Sequence, residues 1–452
     1  MPPKVVLVVI DGMTPAAFER AVEDGSAPAL AHLAAHGEYR QATSVFPSLT
    51  PVCLSSIATG AGPAVHGIPS LVWWHRQERR IVEYGSSFAA IRAAGFSQAV
   101  VDTIFNMNAK HLSREAATVY EAVEDAGFVA AAVNITCYRG RHRHLATVPG
   151  VTRVAYGPKR FFYYSLFESD RTGAPLAVLN RSGGSVDAYA AAVGRWLVTR
   201  DGFDFLAYYL SGYDYASHTH GPEAAAEVSL PRTDAAIGAL LEAAGGPDEF
   251  LERYAVIVHS DHGQTSVTQA ARLELPFADL AEQVVVTASN RAGQVYLLPR
   301  ARLEAADLAR RLDGEPAVEL TLRLEDGEAV ARRDGEELRF KPAGTGGWTT
   351  SGDASLLDHP DALGRAWSAL CNPNAGELLV SAAAGWELAD LGGGHHAGGG
   401  SHGSLAAGDS LVPLLTVGVA AEPQSITDVA PAVLAHLGVD VPASMQAPVR
   451  VG

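Results

Sequence analysis

The residues of this chain that could do chemistry stand where apolar runs stop. The run 254–258 leads into Ser260, Asp261, His262 and Gly263, the run 4–10 into Asp11 and Gly12, and the run 203–210 into Asp214 and His218. Asp261 and His262 offer an oxygen and a nitrogen donor side by side, a pair that suits a divalent transition metal once a tight turn aims both inward. Asp214 and His218 lie four residues apart, so a helical turn or compact loop brings them to one face where they can share a metal. Each has a plainer reading: Asp261 as a helix cap beside a satisfied histidine, Asp11 as a simple strand-to-loop cap.

Thr50 precedes Pro51, and proline is favoured in the first turn of a helix. The sequence therefore predicts Thr50 at a helix N-cap, its hydroxyl facing the positive end of the helix dipole. Capping is one use of such a hydroxyl. The other is nucleophilic attack on phosphorus, with the dipole and nearby cations stabilising the alkoxide. A basic run at 139–144 contains Arg139, Arg141 and Arg143; it reads either as a solvated face or as an anion clamp, since arginine forks match phosphate oxygens.

The elements that must hold these residues follow from the pattern. Continuous β-branched runs at 4–10 and 254–258 are those of strands buried on both faces, which belong in a mostly parallel sheet with helices on both sides. In such α/β folds the chemistry sits at the carboxyl ends of the strands. Helices are predicted over 15–36, ended by Gly37, over 111–126 and over 223–244, and strands over 128–135 and 411–419, with a closing helix at 426–437. Between about 290 and 390 the texture changes to short strand-like runs with Asp-Gly turns at 326–327 and 334–335. We expect a catalytic α/β core formed by 1–289 and 391–452 and a small β-rich insertion or cap at 290–390. A glycine-rich loop at 392–403 carries His395, His396 and His402.

Composition excludes several classes. At 452 residues the chain exceeds one ordinary core. Its net charge of -16 argues against a nucleic-acid polymer as partner. Three distant cysteines suggest neither a disulfide framework nor a cysteine metal site. No apolar run has membrane-spanning length, and the first strand run starts at once, so a cytoplasmic protein without membrane partner is expected. Nothing in the pattern fixes an oligomeric state.

Together the strand ending in Asp11, the segment from Phe46 and Pro47 to Thr50 with Thr59-Gly60 and His66-Gly67, the Asp214-x-x-x-His218 pair with Gly221-Pro222, Ser260-Asp261-His262-Gly263, and Ser401-His402-Gly403-Ser404 resemble the alkaline phosphatase superfamily, most closely its nucleotide pyrophosphatase and type I phosphodiesterase branch. The resemblance implies a metal-dependent hydrolase of small phosphate esters. Asp214, His218 and His402 would hold one metal, and Asp11, Asp261, His262 and the Thr50 oxygen a second, with Thr50 as nucleophile. The mixed donors favour two Zn²⁺, with Mn²⁺ possible. A phosphomonoesterase, a phosphomutase and a binding protein with a degenerate site are the alternatives. One departure stands out: the branch has a phosphate-holding asparagine shortly after its His-Gly, and the stretch after Gly67 has none. Asn106, Asn108 or the arginines of the 139–144 run are the expected substitutes.

Overall fold

The computed structural model describes residues 4–147, 151–168, 186–344 and 346–445. Eight strands make the central sheet: β1 (Lys4–Ile10), β2 (Glu38–Thr43), β3 (Ala130–Val133), β4 (Arg160–Tyr163), β5 (Phe167–Glu168), β6 (Phe205–Leu210), β7 (Tyr254–His259) and β8 (Leu411–Val417). Their spatial order is β2-β8-β7-β1-β6-β3-β4-β5. The inner strands β7, β1, β6, β3 and β4 run parallel, while β8 and β5 are antiparallel to their inner neighbours. The mostly parallel sheet expected from the apolar runs is therefore present.

Alternation along β1 explains why its sequence is apolar throughout. Val5, Leu7 and Val9 enter one core, shared with the helices Thr50–Thr59 and Val429–Leu437. Val6, Val8 and Ile10 enter the other, covered by Pro15–Glu23, Val186–Thr199 and Leu230–Ala243. Successive side chains of a strand point to opposite faces, and a parallel sheet buries both. Because β6, β1 and β7 are adjacent and parallel, their carboxyl ends deliver the segments carrying Asp214, Asp11 and Asp261 to one edge.

Three helical expectations need correction. The stretch 15–36 is two helices, Pro15–Glu23 and Pro28–Ala35. Gly25 between them takes a left-handed φ of 72°, and a proline one residue inside a helix start suits a new first turn better than a continuing one. The stretch 223–244 is Pro222–Val228 and Leu230–Ala243, divided just before Pro231. Most of 111–126 is not helical: a π-helix Asp102–His111 ends where the predicted helix begins, and only Val119–Asp125 follows, opened by a Thr118/Glu121 capping box.

The second sheet is wholly antiparallel, in the order Val284–Ser289, Ala292–Leu297, Leu378–Ala382, Val318–Glu325, Glu328–Arg333, Glu336–Pro342, Trp348–Gly352. It starts earlier than the texture change suggested. Asp326-Gly327 and Asp334-Gly335 are its two-residue hairpin turns, both residues of each pair having positive φ. Among the described residues no helix is long and apolar enough to cross a membrane.

Candidate metal centre and nucleophile

At the carboxyl edge of β6, β1 and β7 the chain assembles three carboxylates, three histidines and one threonine hydroxyl. Asp11 follows β1 directly, and Gly12 turns the chain at φ 67° so that its amide donates to Asp261 Oδ1 at 3.2 Å. A Cβ at Gly12 would lie 2.9 Å from Asp214 Oδ1, so the close approach also demands glycine. Asp214 and His218 sit on the helix Gly212–His220 that follows β6, and their four-residue spacing gives a contact of 3.3 Å. Asp261 and His262 follow β7, and both are fully buried. His402 comes from the glycine-rich loop, its ring stacked on His262 at 3.6 Å between centroids.

Thr50 is the first residue of its helix rather than the cap; Leu49 occupies the cap position and makes no side-chain cap bond. The physical consequence is that the Thr50 hydroxyl is not spent on a backbone amide. It lies 3.1 Å from His262 Nε2.

The three histidines are held alike. Nδ1 of His218 bonds the Gly400 carbonyl at 2.9 Å, Nδ1 of His262 the Gly263 carbonyl at 2.9 Å, and Nδ1 of His402 the Ser48 carbonyl at 2.7 Å. A carbonyl only accepts, so each Nδ1 carries the proton and each Nε2 is turned toward the carboxylates. This is the outer-shell arrangement that orients imidazoles on a metal. Asp214, His262 and His402 form one group of converging donor atoms, all within 4.8 Å of one another, and Asp11, Asp261 and His262 a second. His218 joins through Asp214.

The donors fit a divalent transition metal on an observation internal to the site. Asp11 Oδ1 and Asp261 Oδ2 are buried and make no hydrogen bond, although His262 Nε2 lies 3.3 and 3.6 Å away. Electron-rich atoms that water does not reach thus face one another, an arrangement that costs several kcal/mol without a cation. In its absence protons fill the role. Burial, with Asp214 and Asp261 adding to it, raises Asp11 well above the usual carboxylate range, and burial pushes Asp261 up to about 7. Burial opposes a charged His218, yet Asp214 beside it raises His218 to about 9. Burial also opposes ionised Asp214, but His218, His402 and His262 hold it below the usual range.

The centre opens into a cavity of about 490 Å³ whose lining includes Asp11, Thr50, Tyr84, Thr136, Asn290 and His396. A larger cavity of about 1150 Å³, beside Trp348, Arg365 and Pro431, contains none of the converging donors.

The expected substrate contacts are not in this cavity. Asn106 donates to Asp102 at 2.6 Å, and Asn108 is bonded to the Thr136 carbonyl and to the amides of Tyr138 and Arg139. Arg139 is consumed by the carbonyls of Leu112, Ser113 and Ala116 and by Glu121, and Arg141 by Glu121 and Asp125. Arg143 lies on the largely exposed strand His142–Leu145. The basic run is thus internal bracing plus a surface strand, because acidic residues of the helix Val119–Asp125 lie alongside it.

The places of two residues at the centre were not legible in the sequence. Asn290, in the two-residue turn between the strands Val284–Ser289 and Ala292–Leu297, places its amide Nδ2 2.8 Å from His402 Nε2. His396, which the glycine-rich stretch leaves as either a loop residue or a substrate contact, stacks on His218 at 4.0 Å. An asparagine between two strand-like runs was the available signal for the first; nothing local marks the second.

The sequence profile of the family described as Type I phosphodiesterase / nucleotide pyrophosphatase matches residues 5–405. Among solved structures, the chain is similar to phosphonoacetate hydrolase from Sinorhizobium meliloti in complex with phosphonoformate, with a TM-score of 0.64, 19% identity and 96% of each chain covered. It is also similar to murine ectonucleotide pyrophosphatase / phosphodiesterase 5, with a TM-score of 0.61 and 14% identity over 97% of this chain and 96% of that one. A profile match over nearly the whole length, together with this edge of converging carboxylates and imidazoles, leads to one conclusion: the chain belongs to the metal-dependent type I phosphodiesterase / nucleotide pyrophosphatase family of the alkaline phosphatase superfamily and is a hydrolase of phosphoric ester bonds.

Proposed function

We propose that the protein is a phosphodiesterase that uses Thr50 as nucleophile and a two-zinc centre. The observation that carries this reading is the Thr50 hydroxyl at a helix start, hydrogen-bonded to His262 Nε2 at 3.1 Å rather than to a backbone amide, beside two buried carboxylate oxygens without partners. Asp214, His218 and His402 would hold one ion, and Asp11, Asp261 and His262 with the Thr50 oxygen the other. When bound, the pair supplies positive charge at the reacting oxygens and lowers the energy of an ionised hydroxyl.

The remaining chemistry belongs to the chain. The helix Thr50–Thr59 directs the positive end of its dipole at the hydroxyl, which favours the alkoxide. Thr50 Oγ attacks phosphorus in line, the ester oxygen on the far side leaves, and a phosphothreonine forms. Water then attacks the same phosphorus, freeing Thr50. The Nδ1 bonds of the three histidines keep their rings fixed through both steps.

A diester is favoured over a monoester because no lysine or arginine lines the cavity among the described residues. A dianionic phosphate would lack side-chain cations beyond the metal centre, whereas a monoanionic diester needs fewer. Three unpaired cysteines, two of them buried, support a reducing, cytoplasmic setting.

The test is rapid quenching of the zinc-loaded enzyme with a nitrophenyl diester, followed by mass spectrometry of the Thr50 peptide. A phosphorylated Thr50 that decays to free product is expected; return of the phosphoryl group to an organic acceptor would instead indicate a phosphomutase. A Thr50→Ala enzyme within about tenfold of wild type, a difference of only ~1.4 kcal/mol, would end the nucleophile assignment.

A further inference from the structure

We infer that the organic group on the substrate's phosphorus is not anionic and bears a hydroxyl, and that His396 recognises it; the inference rests on the phosphodiesterase reading above. Its starting point is Glu387. This carboxylate is buried, 1% exposed, in the short strand Trp386–Leu388. It accepts three bonds: from the His396 backbone amide at 2.5 Å, from His396 Nδ1 at 2.7 Å and from Ser401 Oγ at 3.1 Å. A carboxylate so engaged fixes both the orientation and the tautomer of the ring, with the proton on Nδ1.

The face of the ring is fixed as well, by the stack on His218. His396 therefore reaches the cavity with Nε2 as an acceptor that no described residue bonds. One rigid acceptor matches a hydroxyl on a ligand. It does not match an anionic group: among the described residues the lining has no lysine or arginine, and the nearby Glu387 would repel an anion.

Sites that hydrogen-bond a substrate hydroxyl discriminate strongly against analogues lacking it, because the site's own polar atoms are then left unpaired. The probes are the glyceryl, propyl and carboxyethyl esters of nitrophenyl phosphate, which share one leaving group and differ only in the retained one. With the zinc-loaded full chain, kcat/KM is expected to fall about tenfold from glyceryl to propyl and further to carboxyethyl. His396→Ala should collapse the glyceryl-to-propyl ratio toward one. Uniform losses on all three esters, accompanied by lost zinc, would mean that His396 only buttresses His218 and would overturn the inference.

A binding measurement separates this inference from the reading beneath it. Calorimetry of wild type with glycerol phosphate and propyl phosphate should favour the former by a similar factor, and equal binding overturns the inference. Selective binding of glycerol phosphate with no hydrolysis of any nitrophenyl ester would leave the hydroxyl site standing and remove the phosphodiesterase.

Discussion

Asp261→Asn should stabilise the metal-free protein and destroy its response to metal. Asp261 is fully buried, its Oδ1 accepts from the amides of Gly12 and His262, and its Oδ2 has no partner. Burial raises its pKa from 3.8 to about 7. Between those two values the folded chain keeps a proton that the unfolded chain has released, so the unfolded state binds fewer protons and stability falls as pH rises. Across roughly three units the loss approaches ~4 kcal/mol, complete above the folded value. For a chain of 452 residues, with an unfolding entropy near ~0.95 kcal/mol/K, that corresponds to a Tm shift of about 4 °C. An asparagine keeps the Oδ1 acceptor and has no charge to lose. The assay is thermal unfolding in chelator from pH 4 to pH 8, followed by the same series with excess zinc. In chelator at pH 8 the variant should be the more stable protein. Zinc at about a thousandfold over its Kd should raise wild type by ~4 kcal/mol and the variant far less. A wild-type stability flat across this range, or a variant less stable in chelator at pH 8, would refute the electrostatic account of the site.

Other expectations follow from single contacts. His402→Ala should lose about half of the bound metal, read by elemental analysis, because the ion shared with Asp214 keeps too few ligands. Gly12→Ala forces a Cβ to 2.9 Å from Asp214 Oδ1 at a left-handed φ; a cost of ~1–2 kcal/mol and weaker zinc retention in chelator competition are expected. Arg139→Ala strips the donor from the carbonyls of Leu112, Ser113 and Ala116 and should cost about 3 kcal/mol in denaturant unfolding. Arg141, half-exposed, should cost under ~1 kcal/mol, and neither arginine should change the ratio of kcat/KM between two esters.

What the sequence disclosed and what it concealed divide along physical lines. Strands β1 and β7 were plain because a parallel strand buried on both faces must be apolar at every position, and Asp11 and Asp261 were plain because a carboxylate cannot continue such a run. Asp214 and His218 were legible because their helix is local. The helices at 15–36 and 223–244 misled, since apolar periodicity runs on through a turn whose break comes from the backbone conformation of Gly25 or from a single proline. Asn290 and His396 were hidden for a different reason. Their partners, His402 and His218, lie more than a hundred residues away in sequence, and no local pattern announces such a pairing. The basic run at 139–144 misled because charge is visible in a sequence while its neutralisation by Glu121 and Asp125 is not.

Arg291 is completely buried beside Asn290, and its guanidinium spans from Asp409 to the carbonyls of Ala382, Ala383 and Trp386. Asp409 in turn accepts from Ser404, two residues beyond His402, and the Arg291 amide donates to the His402 carbonyl. The antiparallel sheet is thereby bolted to the loop that carries His402. Removing one end of a buried pair of this kind costs about 3–5 kcal/mol. The second sheet therefore cannot behave as a lid that swings clear between turnovers, nor as an ornament that a shorter enzyme could shed. Excising 290–390 would withdraw the support of His402 together with Asn290.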